Sequence, residues 1–185
     1  MTDPQPEPAR HCPLEKLESG LEALPRAPKE AGRVALIVRR PAEGRREILE
    51  QAHLTPEEGL PGDEWGRRAS RNPEAQLAVM RRGVAELIAN GQPLTLFGDN
   101  LFVDLDISAA NLPSGTRLRL GDAVVQVSPL PHDGCRKFNA RFGPDALRFV
   151  QSAATRDQNF RGIYWKVVEA GLVRVGSEIQ VLSRA

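Results

Sequence analysis

The amino-acid sequence predicts a mainly β fold with a few helices packed on the outside, arranged as a barrel or a sandwich. Two segments, 94–107 and 114–127, alternate apolar and polar residues, which is the pattern of strands that bury one face. Glycines such as Gly121, Gly171 and Gly176 separate the apolar runs. Short strands broken by turn residues roughly every eight to twelve positions are typical of barrels and sandwiches.

The chain divides into a tail, a helical cap and one large domain. Residues 1–13 are polar and rich in proline, so we expect a flexible tail. Leucines at positions 14, 17, 21 and 24 have helical spacing and predict a short capping helix, which together with a linker occupies 14–32. Residues 33–182 form the predicted domain. A chain of 185 residues can bury one such core, and a second domain is not expected.

A long helix is predicted over 73–90, in the first half of the domain. Asn72 is its expected N-cap, and Asn90-Gly91 its expected end. Apolar residues fall on one face of such a helix, at Leu77, Met80, Val84, Leu87 and Ile88. Two strands precede it, over 34–39 and 47–54, followed by a glycine-rich loop in which Asp63 suits an Asx turn.

The second half of the domain is predicted to be β apart from one short helix. Segment 114–127 predicts a hairpin, because Gly121-Asp122 lies between two alternating runs. Residues 144–150 predict the short helix, and 161–182 predict two or three further strands.

Composition excludes several classes of protein. The 25 basic and 24 acidic residues nearly balance, so nothing in the bulk charge favours nucleic acid as a partner. No apolar run approaches the roughly 20 residues that a membrane span needs, and no secretory signal is present. With two cysteines, Cys12 and Cys135, of which one falls in the predicted tail, a reducing cytoplasm is the simpler interpretation.

Cys135 is the residue in this sequence most suggestive of chemistry. It follows a β run ending at Pro129 and Pro131, and it stands between Gly134 and three cations at positions 136, 137 and 141. A flexible glycine and nearby cations favour the reactive thiolate. A small buried residue at a strand end explains the same pattern, since free cysteines are often buried. The local sequence leaves both interpretations open.

Four motifs in order make the sequence resemble the MOSC domain, named for the C-terminal domain of molybdenum cofactor sulfurase. The motifs are GLPGD, FGDNLFV, SGTRLRLGDAVVQVSPLPHDGC and RGIYWKVVEAGLVRVGSEIQV, and the similarity covers 33–182. The resemblance implies a closed, mostly β barrel. It also implies that Cys135 ligates molybdenum or carries sulfur, and that Asp63, Asn100 and Arg161 help to form a cofactor pocket. Several members of the family reduce N-hydroxylated compounds.

Two positions depart from the family pattern. Where the family commonly has Glu-Asn, this chain has Asp99-Asn100, and Asp keeps the charge but shortens its reach. Where the family often has proline before the cysteine, this chain has Gly134, which we expect to loosen the loop.

The residue chemistry is compatible with molybdenum cofactor, also called molybdopterin. A thiolate suits a soft metal, and arginine makes bidentate contacts to phosphate. Backbone N–H groups at Gly62 could approach a phosphate closely, because glycine has no side chain. The candidate cofactor-binding residues are Gly62, Asp63, Asn100, Lys137, Arg141 and Arg161, with Cys135 as metal ligand and catalytic residue. Each arginine taken alone is better explained as part of a solvated face or a salt bridge, except Arg161, which stands at a loop-to-strand entry beside Gly162.

Other chemistries find less support. His132 and Cys135 supply two zinc ligands, but the sequence offers no second pair of cysteines or histidines to complete a structural site. The same two residues suit a Cys–His nucleophile, with nothing beyond Asp133 to orient the histidine. The glycine patterns of dinucleotide and P-loop sites are missing.

Three functions remain, in order of preference. The first is a small reductase that binds molybdenum cofactor, acts on a small-molecule substrate and takes electrons from a separate donor protein. The second is a sulfur-carrying or cofactor-handling protein with a persulfide on Cys135. The third is a degenerate binding module in which Cys135 does little.

Overall fold

A computed structural model describes residues 4–184. Within this range the helices are α1 (Leu14–Ala23), α2 (Glu64–Arg67), α3 (Arg82–Ala89) and α4 (Arg136–Gln151). The strands are β1 (Ala31–Arg39), β2 (Glu47–Leu49), β3 (Gln51–Leu54), β4 (Leu77–Arg81), β5 (Leu101–Asp104), β6 (Arg117–Leu120), β7 (Ala123–Val127), β8 (Ile163–Glu169), β9 (Gly171–Arg174) and β10 (Glu178–Ser183). Short 3-10 turns join several of them.

Seven strands of the described chain close into a ring, which confirms the predicted mainly β barrel. The order is β10-β6-β7-β8-β4-β5-β1, and β1 closes the ring by pairing with β10 at Ala31–Arg33. The far end of β1 pairs with β2 instead. Closure leaves no free edge in the ring, which is how a small β domain satisfies its backbone hydrogen bonds. Strands β3 and β9 form a separate two-stranded sheet.

Alternate residues of the strands supply two hydrophobic cores. In β5, Leu101 and Val103 belong to a cluster with Val79, Val125 and Trp165 from other strands of the ring. Phe102 points to the opposite face and joins a second cluster formed with the helices, which includes Leu17, Ile88 and Phe142. This is the period of two expected of a strand buried on both sides. The helices therefore pack on the outside of the barrel, as predicted.

The predicted helix over 73–90 is wrong in its first half. Residues 77–81 form β4, which pairs in parallel with β5 and antiparallel with β8. The helix α3 begins only at Arg82, and Asn90 ends it in the left-handed conformation. A run that is apolar on both faces fits a central strand as well as a helix, and pairing with two neighbouring strands decides for the strand.

Other element boundaries also differ from prediction. The predicted strand segment 94–107 contains a 3-10 turn at Leu94–Leu96, and its strand, β5, is limited to Leu101–Asp104. The short helix predicted at 144–150 begins earlier, at Arg136, with a break at Gly143. The hairpin is present as predicted, with Gly121 at φ 58° between β6 and β7. No helix within residues 4–184 is long and apolar enough to cross a membrane.

The described part of the predicted tail contacts the domain. Cys12 is 2% exposed and belongs to the cluster between barrel and helices, so it is a core residue rather than a tail residue. The backbone N–H of Glu7 donates to Gln92 Oε1 over 2.8 Å. The first three residues of the predicted tail lie outside the described range. The helix predicted from the leucine spacing is present as α1.

Candidate functional site

A polar cavity of about 230 Å³ lies where several strand ends meet at one rim of the barrel. Strand β1 ends beside the start of β5, and β7 ends beside the start of β8, because each pair is antiparallel. Among the described residues, six cationic side chains and one carboxylate line the cavity together with Cys135. The cations are Arg40, Arg46, Arg68, Lys137, Arg141 and Arg161, and the carboxylate is Glu64. The excess of cations suits an anionic ligand.

Cys135 is exposed and stands immediately before α4. Its backbone is extended, and its carbonyl accepts a hydrogen bond from Asn139 N–H at 3.0 Å, which closes the first turn of the helix. Cys135 thus lies at the N-terminal end of a helix and lines the cavity together with its cations. Exposure excludes the interpretation of Cys135 as a buried strand-end residue.

Arg40 is anchored in the cavity wall by two buried partners. Its Nε donates to Asp63 Oδ1 over 3.0 Å, and its Nη2 donates to Asp63 Oδ2 and to Asn100 Oδ1. Burial alone would raise the pKa of Asp63, but the hydrogen bonds and the positive charge of Arg40 outweigh burial and lower it. Asp63 also caps α2 by accepting from the Trp65 N–H at 3.1 Å.

Asn100 joins this network through both polar atoms of its side-chain amide. Its Nδ2 donates to Asp63 Oδ1 at 3.1 Å, and its Oδ1 accepts from the N–H of Ala78 at 3.1 Å. Asp63 and Asn100 are 1% and 0% exposed. They therefore stand behind the cavity surface and orient Arg40.

Arg161 is anchored in the same way by Asp99. Its Nη1 donates to Oδ1 and Oδ2 of Asp99 at 3.1 and 2.9 Å. The guanidinium carbon lies 5.2 Å from the ring centre of Phe138, a cation–π distance. Among the described residues, Arg161 Nε is buried with no hydrogen-bond partner. Asp99 thus supplies the carboxylate that pairs with Arg161, although its side chain is shorter than that of the glutamate common in the family.

Lys137 and Arg141 occupy the side of the cavity formed by α4. Lys137 is exposed, and Arg141 donates to the Phe97 carbonyl at 3.3 Å. Gly98 lies beside Arg141 at φ +85°, and a Cβ there would stand 3.5 Å from Arg141 Nη1. Its positive φ is a conformation that glycine adopts without strain. The Gly98 carbonyl accepts from Arg40 Nη1, which joins the two sides of the wall.

Of the seven residues predicted for the site, the structure brings Cys135, Lys137, Arg141 and Arg161 together around the cavity. Asp63 and Asn100 reach it through Arg40. Gly62 does not line it and lies instead beside the Arg39 side chain. Whether these residues bind a cofactor stays a prediction.

The residues predicted for the site do not include Arg40, and Asp99 is predicted only as the shorter counterpart of the family's glutamate. Arg40 is the cation that follows the apolar run of β1, and the position of a charge at a strand end was the available signal. Tyr164 lines the cavity; burial and the negative charge of Asp99 raise its pKa, so its hydroxyl keeps its proton at neutral pH. His132, considered from the sequence as a zinc ligand or as the partner of a Cys–His nucleophile, also lines the cavity.

The loop that presents Cys135 is held by packing. A Cβ on Gly134 would lie 2.6 Å from Leu147 Cδ1 and 3.2 Å from Val150 Cγ2. The Gly134 carbonyl accepts from Gln151 Nε2 at 3.0 Å. The missing side chain allows the loop to contact the second half of α4 directly, and the looser loop expected from glycine stays a prediction.

Two further observations delimit the site. A larger cavity, of about 720 Å³, lies between α1 and α4 and has neither Cys135 nor a cluster of cations in its wall. Within residues 4–184, no group of three or more histidine, cysteine, aspartate or glutamate side chains is placed to hold a metal ion. We therefore assign the candidate site to the smaller cavity, where the thiol and the cations meet.

Comparison with known proteins agrees with this architecture. YuaD of Bacillus subtilis superimposes with a TM-score of 0.62 and 16% identity over 82% of this chain and 95% of YuaD, which supports the fold alone. YiiM of Escherichia coli superimposes with a TM-score of 0.57 and 25% identity over 83% of this chain and 71% of YiiM. YflK, an uncharacterised protein of Bacillus subtilis, is 34% identical over 88 residues, which span 48% of this chain and only 37% of YflK.

The family model described as the MOSC domain matches residues 54–180. This range runs from the end of β3 to β10 and includes Asp63, Asn100, Cys135 and Arg161. Residues 54–180 make up more than half of the chain, and the barrel formed by the strands is the one that the resemblance implied. The chain belongs to the MOSC domain family.

Proposed function

We propose that this protein binds molybdenum cofactor in the cavity at Cys135 and reduces small N-hydroxylated compounds with electrons from a separate protein. The observation that carries the proposal is an exposed thiol in a wall of cations. Molybdenum cofactor combines a soft metal with an anionic phosphate, so it needs both kinds of partner in one site. Binding of this cofactor is typical of the MOSC domain family.

The donor groups fit that cofactor. Cys135 supplies the sulfur ligand, and Lys137 and Arg141 supply charge on the exposed side of the cavity. Arg40 and Arg161 supply guanidinium groups that buried carboxylates already hold in place. Prepositioned cations lose little side-chain entropy when they bind an anion. Arg161 Nε is a buried donor without a partner among the described residues, so it can donate a hydrogen bond to a bound anion.

When bound, the molybdenum centre supplies two-electron redox chemistry with oxygen transfer. The chain itself supplies the surroundings of the reacting group. Arg40 and Arg161 stabilise negative charge in the cavity. The Tyr164 hydroxyl, protonated at neutral pH, is a hydrogen-bond donor in the same wall. Electrons come from another protein, since the sequence has no motif for flavin, haem or an iron–sulfur cluster.

A persulfide on Cys135 is the second candidate function. Its exposure supports this function, because a carried sulfur must be reached by a partner protein. Both functions use the same thiol but differ in what the purified protein contains.

Metal analysis and intact mass distinguish the two. Protein from a host that makes molybdenum cofactor should contain near-stoichiometric molybdenum if the first function is correct. If the second is correct, intact-mass spectrometry should show one extra sulfur atom that reductant removes and that Cys135→Ala lacks. Absence of both from the wild-type protein contradicts both functions.

A further inference from the structure

His132 lies between the candidate site and a second cavity. The second cavity measures about 410 Å³ and is lined by Pro131, Arg156, Asn159 and Phe160, among others. His132 and Arg161 line both cavities. The side chain of His132 is therefore part of the wall of both cavities.

Two neighbours fix the orientation of that ring. It packs on Tyr164, with ring centres 4.3 Å apart. The side chain is 8% exposed, and its Nδ1 lies 3.6 Å from Asp99 Oδ1. Nδ1 is fully buried and has no hydrogen-bond partner among the described residues, so the Asp99 carboxylate acts on it through its charge rather than through a hydrogen bond. Nε2 is not among the buried unpartnered atoms, so it is the nitrogen that reaches the cavity surface.

The surroundings also fix the protonation of His132. Burial, together with the positive charge of Arg161, lowers its pKa to about 3, so the ring is neutral at pH 7. A neutral imidazole carries its proton on one nitrogen, and the neighbouring Asp99 carboxylate favours Nδ1. The Nε2 lone pair is then free to accept a hydrogen bond.

Hydrogen-bond acceptors are few in the wall of the candidate site. Arginine and lysine only donate, and the carboxylate of Glu64 is already paired with Arg68 at 2.9 Å. The Tyr164 hydroxyl accepts in this wall, and Asp133, Gln151 and Asn159 carry acceptors in the second cavity, but the imidazole of His132 is the neutral acceptor that both cavities share.

We propose that His132 binds the substrate, its Nε2 accepting a hydrogen bond from an N–H or O–H group of a small uncharged molecule in the two cavities. The inference rests on the proposed function, since N-hydroxylated compounds carry such a donor. It adds a second cavity, and a neutral acceptor, to a site otherwise composed of a thiol and cations.

Nuclear magnetic resonance of the ¹⁵N-labelled protein as purified tests the inference directly. The Nε2 signal of His132, assigned among three histidines by its loss in His132→Gln, should show an unprotonated nitrogen at pH 7. Acetohydroxamic acid, an uncharged N–O–H compound, should shift this signal. N-methoxy-N-methylacetamide, which has no donor, should not. A protonated Nε2, or a signal that both compounds or neither compound moves, overturns the proposal.

Two variants separate binding from packing. His132→Phe keeps the ring against Tyr164 without an acceptor, and His132→Gln restores an acceptor oxygen. We expect the dissociation constant of acetohydroxamic acid to rise about tenfold in His132→Phe and much less in His132→Gln. Equal affinities in all three proteins overturn the proposal. If His132→Phe does not fold, the wild-type spectra decide alone.

The response of His132 to the probe and the uptake of molybdenum are separate measurements, so the inference and the proposed function can fail separately. A His132 signal that responds to the probe in a protein unable to take up molybdenum contradicts the proposed function and leaves this inference standing. A protein that takes up molybdenum without any response at Nε2 contradicts only the inference.

Discussion

Arg40 and Asp63 are joined by three hydrogen bonds, donated by the backbone N–H, the Nε and the Nη2 of Arg40. Their side chains are 15% and 1% exposed. The pair links the end of β1 to the start of α2, and Arg40 continues from it to the Gly98 carbonyl. One buried carboxylate thus fixes both a helix start and a cation of the candidate site.

Asp63→Asn should destabilise the protein by about 3–5 kcal/mol, because it leaves a largely buried guanidinium without its counter-charge. Urea unfolding at pH 7 measures this. Asp104→Asn is the matched control, since the Asp104–Arg82 pair is 40% and 46% exposed and such pairs contribute only about 0–1 kcal/mol. Equal losses in the two variants would show that burial of the Asp63 pair has no special role.

The same pair should make stability depend on acid pH. Arg40 lowers the pKa of folded Asp63 below its unfolded value, so this stabilisation is complete above the unfolded pKa and is lost as pH falls through the folded one. The wild-type free energy of unfolding should therefore fall below about pH 4 more steeply than that of Asp63→Asn. Parallel curves for the two proteins between pH 6 and pH 2 would contradict this assignment.

Gly134→Ala should destabilise the Cys135 loop through its contact with Leu147. A Cβ at position 134 would lie 2.6 Å from Leu147 Cδ1, so the two positions should be coupled by about 0.5–3 kcal/mol in a double-mutant cycle with Leu147→Ala. Gly66→Ala is the control, because the nearest atom to its new Cβ is 3.5 Å away. A coupling energy of zero would show that the loop is not held by this contact.

Arg141→Gln should weaken binding of inorganic phosphate about three- to tenfold, because a charged donor in the cavity wall becomes neutral. Calorimetry at low salt measures the affinity, and added salt should reduce it. Arg148→Gln, on the same helix but lining the large cavity between α1 and α4, should leave it unchanged. Equal effects of the two substitutions would indicate that phosphate responds only to net charge.

Alternating strands and glycine turns, as in the β6–β7 hairpin, predicted a barrel or a sandwich, and the resemblance to the MOSC domain decided for the closed barrel. The sequence mispredicted β4, because Leu77–Arg81 is apolar on both faces and its strand pairing depends on β5 and β8, which come from distant parts of the chain. Non-local pairing of this kind leaves no signal in a local window.

For the candidate site, too, features set by nearby residues were predicted and features set by distant partners were not. Cys135, Lys137 and Arg141 are close in sequence, so they were predicted together. The place of Arg40 in the site and the pairing of Asp99 were not predicted, because each depends on a partner 23 or 62 residues away, Asp63 and Arg161 respectively. The predicted Asx turn at Asp63 is confirmed, since its carboxylate accepts from the Trp65 N–H and so caps α2. Its contact with Arg40 was not predicted, and its place in a cofactor pocket stays a prediction.

The central claim is that Cys135 binds molybdenum, and the molybdenum content of matched cysteine variants tests it most directly. Wild type, Cys135→Ala and Cys12→Ala should be purified from one host that makes molybdenum cofactor. Cys12 is buried in the core, away from the candidate site, so its variant controls for loss of a thiol as such. We expect near-stoichiometric molybdenum in wild type and Cys12→Ala and little in Cys135→Ala; equal molybdenum in all three, or none in wild type, would contradict the account.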